Sequence, residues 1–80
     1  MNIYQETIIK VIDSHTVISA SDLSLRVMSI INPMKFDRVK YLEALEQLIE
    51  RNEIKQVVYT TKDRTRVVYF PGDVQFLIGK

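Results

Sequence analysis

Lys62, Arg64 and Arg66 crowd the stretch from Thr61 to Arg66, and Asp63 is the one acid among them. Closely spaced cations of this kind suit phosphate, whose oxygens accept charge-assisted hydrogen bonds from ammonium and guanidinium groups without revealing any base sequence. Solvated hairpin tips also carry charge simply because they are solvated, but the excess of cations here favours binding. Other residues offer less. His15 lies close to Asp13, yet one imidazole and one carboxylate do not complete a zinc site, and His15 reads as a loop residue. The chain contains no cysteine, which excludes disulfides and thiolate metal sites. No glycine-rich phosphate loop, nucleophile elbow or paired-carboxylate arrangement is present, so no catalytic residue, cofactor or metal is expected and the chain does not read as an enzyme.

The 80 residues suffice for one domain with a modest core, which directs function to the surface. With 46% hydrophobic and 26% charged residues, the composition is that of an ordinary globular chain. No apolar run approaches the roughly 20 residues of a membrane span. The opening Met1-Asn2-Ile3-Tyr4-Gln5-Glu6 lacks a basic region ahead of an apolar stretch, and the expectation is a cytoplasmic protein without a membrane partner. The formal charge of +1 conceals an asymmetry. Through Ile54 the acids outnumber the cations, whereas from Lys55 onward Lys55, Lys62, Arg64, Arg66 and Lys80 face only Asp63 and Asp73. Positive potential is therefore concentrated late in the chain, where a polyanion would sense it.

The elements that must position these charges follow from periodicity and capping. Tyr4, Ile8, Val11 and Ile12 recur at helical spacing behind an Asn2–Gln5 capping pair, predicting a first helix from about Ile3 to Asp13, with Ser14-His15 as a turn. Thr16-Val17-Ile18 is β-branched and suits a very short strand. Ser19 and Asp22 form a capping box for a second helix beginning at Ala20, with Leu23, Val27, Ile30 and Ile31 as its inner stripe. Asn32-Pro33 stops that helix, and a third is predicted from Pro33, or a few residues later, to Arg51, burying Met34, Tyr41, Leu42, Leu45, Leu48 and Ile49. Asn52 occupies the position that wants a left-handed residue. Ile54 to Thr60 and Arg66 to Phe70 read as a hairpin around Thr61-Lys62-Asp63-Arg64-Thr65, closed by Pro71-Gly72. The apolar tail Val74-Gln75-Phe76-Leu77-Ile78 is expected to return to the sheet or to help form a dimer. Phe36 is the one aromatic set apart from the apolar stripe, with packing by its own loop the favoured reading.

Leu45-Glu46-Gln47-Leu48-Ile49-Glu50-Arg51-Asn52-Glu53-Ile54 resembles the end of the recognition helix in winged helix-turn-helix transcriptional regulators, where a Leu-x-x-Leu pair precedes a charged turn, a glycine and an apolar strand residue. The resemblance spans about Ser19 to Phe70 and lies in architecture. Asn52 stands where glycine is usual, and Met28 to Phe36 is longer than the usual turn between the two helices. The family implies an α+β winged helix, three helices and a hairpin wing with a short strand between helices 1 and 2. It also implies a third helix in the major groove of double-stranded DNA and a wing on the backbone. By position, Lys35, Arg38, Lys40 and Gln47 become the groove-side residues, and Lys62, Arg64 and Arg66 the phosphate contacts. A homodimeric transcriptional regulator is the leading expectation. The alternative is a protein–protein interaction module on the same scaffold, an adaptor or a phage- or plasmid-encoded modulator of a host factor.

Overall fold

Asn2 starts the fold: its side chain accepts from the Gln5 N–H at 2.9 Å, and the Gln5 side chain accepts from the Asn2 N–H at 3.2 Å. This reciprocal cap launches α1, Ile3–His15, in the computed structural model, which describes residues 2–73. The helix outlasts its expected end. Ser14 and His15 belong to it, donating to the carbonyls of Lys10 and Val11. Thr16 then breaks it at φ 64°, with the Val17 N–H donating to the His15 carbonyl at 2.6 Å, a γ-turn with positive φ. The short strand falls slightly later than expected, as β1, Ile18–Ser19.

Ser19 also caps α2, Ala20–Ile31, accepting from the Asp22 N–H at 3.3 Å. Leu23 and Val27 are fully buried and Ile31 partly so. Ile30, expected inside, is exposed although it lies seven residues from Leu23 on the same side of the helix; it stands in the last turn of α2, beside Lys10 and Arg26, where the core does not cover it.

The third helix, α3, runs Arg38–Glu50, later than Pro33 alone suggested. Residues 33–35 form a turn, with the Lys35 N–H donating to the Asn32 carbonyl at 3.0 Å. The actual cap is Asp37, whose carboxylate accepts from Val39 and Lys40 N–H at 2.9 and 3.3 Å. Met34 therefore lies outside the helix and is 92% exposed, and Leu42 is also exposed; neither belongs to the core. Ala44 takes a core position instead, beside Tyr41, Leu45 and Leu48. Phe36 packs in the connection, its ring centroid 6.0 Å from Tyr4 and 5.4 Å from Tyr41. The Tyr4 hydroxyl accepts from the Asp37 N–H at 2.8 Å, tying the cap of α3 to α1.

Asn52 ends α3 at φ 61°. The Glu53 N–H donates to Leu48 and the Asn52 N–H to Ile49, each at 3.0 Å, which is a Schellman closure. Two antiparallel strands follow, β2 Ile54–Thr61 and β3 Arg64–Pro71, in register from Ile54↔Pro71 to Thr61↔Arg64. Only Lys62 and Asp63 remain for the turn, so Thr61, Arg64 and Thr65 are strand residues rather than loop. β1 pairs with β3 through Ile18↔Tyr69 and Ser19↔Val68, giving the order β1-β3-β2. Over the described residues the chain is thus α+β, three helices on a three-stranded antiparallel sheet. Its core joins Tyr4, Ile8, Val11 and Ile12 of α1 with Leu23 and Val27, the α3 residues above, and Ile18, Ile54 and Tyr69 of the sheet. Among the described residues no helix is long and apolar enough to cross a membrane. The apolar stretch from Val74 lies outside the described residues.

Candidate functional site

The hairpin owes its reach to its strand lengths, and every residue from Gln56 to Arg66 is exposed. Directly opposed residues share a face of an antiparallel ladder, and successive residues alternate. Val67 and Tyr69 pack toward the helices, and Gln56, opposite Tyr69, donates its side-chain N–H to the Tyr69 hydroxyl at 3.4 Å. The intervening residues Arg64 and Arg66 therefore lie on the outer face, opposed by Thr61 and Tyr59. Lys62 sits in the turn. The structure thus brings Arg64 and Arg66 together and sets Lys62 at the tip.

The cations expected on the third helix are dispersed. With Tyr41, Ala44, Leu45 and Leu48 buried, the opposite stripe of α3 at 3.6 residues per turn is Val39, Glu43, Glu46 and Glu50. The face most open to a large partner is therefore acidic with one exposed valine. Arg38 lies on one flank, in a recess with Ser21, Ser24 and Leu42. Lys40 and Gln47 lie on the other, beside Asn2 and Ile3. Gln47 is moreover engaged, its side-chain oxygen accepting from the Nε2 of buried Gln5. Lys35 is exposed in the turn before the helix.

Two phenols lie beneath this surface. Burial pushes Tyr41 far above the ordinary tyrosine value, nearby Tyr69 adds to the shift, and Arg38 opposes it. Burial also raises Tyr69. Both stay protonated at neutral pH and act as packing and hydrogen-bonding groups rather than as acids or bases. Sequence reasoning missed Tyr59 as a neighbour of the arm's cations. The missing signal was the ladder register, which a two-residue turn fixes and a five-residue loop would not. The acidic stripe was readable, since Glu43, Glu46 and Glu50 recur at intervals of three and four. Comparison with protein-family models, curated proteins and solved structures finds no match to this chain.

Proposed function

We propose that this chain is a small winged-helix DNA-binding protein, a transcriptional regulator acting as a homodimer, in which the wing rather than the outer face of α3 supplies most of the phosphate contacts. The observation that carries this reading is the exposed arm from Gln56 to Arg66, bearing Lys62, Arg64 and Arg66 against the single acid Asp63. Exposed cations hold phosphates by charge and by release of the counterions condensed on the duplex. The order of elements supports the same scaffold, with the short β1 joined to the hairpin sheet between the first two helices. Lys35, Arg38 and Lys40, spread around the start of α3, supply a secondary contact, whereas Glu43, Glu46 and Glu50 would repel phosphate along its outer face. Base reading is accordingly weak, and binding is governed by salt.

The test is a mobility-shift titration with random duplex at low and moderate salt. Converting Lys62, Arg64 and Arg66 together to alanine should abolish most of the low-salt shift, and unaltered binding would reject the role of the wing. A second reading, a protein-interaction module on the same scaffold, is supported by the exposed Val39 and Leu42 beside those glutamates and by the exposed Met34 in the turn before the helix. Apolar residues rimmed by acids suit a basic protein surface. A wild-type chain that shifts neither duplex nor single-stranded DNA at low salt belongs to that second reading.

A further inference from the structure

The outer face of the hairpin arm carries a group for which a closed duplex has little use. Tyr59 is 43% exposed on β2, directly across the ladder from Arg66, with Thr61 and Arg64 the next pair on the same face toward the tip. Val57 and Val68, the pair on the body side of Tyr59, give its ring an apolar flank. Tyr59 and Arg66 also line a recess of about 300 Å³ at the sheet's edge, together with Ser19, Ala20, Ser21, Thr65, Val67 and Val68. No residue of this face between Lys55 and Phe70 is acidic, since Asp63 belongs to the turn.

We infer that this face binds single-stranded nucleic acid, with an unpaired base stacked on the Tyr59 ring and the flanking phosphates held by Arg64 and Arg66. The inference rests on the arm being the nucleic-acid-binding element and specifies the ligand it takes. In a duplex the bases stack on one another and the backbone offers only charge, so an exposed ring among arginines gains little there. An unpaired base presents a free π-face, and stacking on an aromatic side chain beside cations is the general means of holding single strands without sequence preference.

The experiment is a fluorescence-anisotropy titration of labelled oligothymidine and of labelled blunt duplex against the full chain and its Tyr59→Leu, Tyr59→Phe and paired Arg64→Gln, Arg66→Gln variants. Tyr59→Leu keeps apolar bulk in an exposed strand but removes the planar face; it should weaken oligothymidine binding about tenfold while duplex binding stays as in wild type. Tyr59→Phe should bind both probes as wild type does. A Tyr59→Leu variant that holds oligothymidine like wild type, or loses both probes equally, overturns the stacking. If in that case the arginine pair still weakens duplex binding, the reading of the arm as a phosphate-gripping wing stands. Failure of the wild type to bind either probe overturns both.

Discussion

Gln47 shows how one contact decides a residue's part. On a helical wheel it is a polar residue on an exposed face, yet its side-chain oxygen is committed to buried Gln5 on α1, and a base edge would have to displace that bond. Arg38 and Lys40, two residues apart, are carried to opposite flanks of α3 by the 100° step of the helix. Tyr41 has a different consequence, visible in the pH dependence of stability. In the unfolded chain its phenol ionises near pH 10, whereas burial in the fold holds the proton to higher pH. The folded state therefore binds more protons than the unfolded state above about pH 10, and stability present below that pH is lost as pH rises through the alkaline range. Urea midpoints measured from neutral to strongly alkaline pH should fall, and Tyr41→Phe should fall less steeply. An equal slope in the variant would mean that Tyr41 is not the group responsible.

At the scale of elements, two junctions make opposite demands on glycine. Gly72 follows β3, and its N–H donates to the Glu53 carbonyl at 2.9 Å; a Cβ there would come within 2.0 Å of the Asn52 carbonyl oxygen. The need is space, since that contact is backbone and cannot swing aside. Gly72→Ala should lower stability by about 1–3 kcal/mol, the usual cost of forcing atoms into a filled site, read as a reduced urea midpoint with an unchanged slope. Thr16 is the reverse case, a β-branched residue at φ 64° between α1 and β1. Thr16→Gly relieves the strain of that backbone and gives back part of the gain as unfolded-chain entropy, leaving about 1 kcal/mol of stabilisation. A midpoint that drops instead would show that the Thr16 side chain contributes more than its backbone costs. The caps at Asn2, Ser19 and Asn52 were legible in the sequence because each depends on residues a few positions away. The start of α3 was not, since Pro33 and Asp37 are both good initiators, and the choice fell to a long-range bond, Tyr4 to Asp37. Met34 was misplaced with that start, since it falls in the turn before the helix, and Leu42 and Ile30 because apolar periodicity names a face, while the neighbouring elements decide how much of it they cover. The hairpin was legible as two β-branched runs, while its pairing Tyr59↔Arg66 depended on the length of the turn.

Over the whole molecule, a net charge of only +1 is divided between an arm that attracts phosphate and a helix face that repels it. The division makes ionic strength the most informative variable, because each phosphate neutralised on a duplex contributes roughly −0.9 to the slope of log K against log salt. Three arm cations acting alone give a slope of about −2.7 for one subunit, and two arms on one duplex give about −5.4. The wild-type protein in the proposed dimer should therefore show the steeper slope and elute as a dimer on a sizing column. The alanine triple at Lys62, Arg64 and Arg66 should retain only the shallow dependence left by Lys35, Arg38 and Lys40. The magnitude matters as much as the sign: if the first turn of α3 were the principal contact, removal of the arm charges would change the slope by less than about one contact per subunit, roughly 0.9. The elution volume and the salt slope must also agree, because a monomeric protein with the steeper value would require phosphate contacts from beyond the arm. A dimer with a slope near that of a single arm would place the second arm off the duplex.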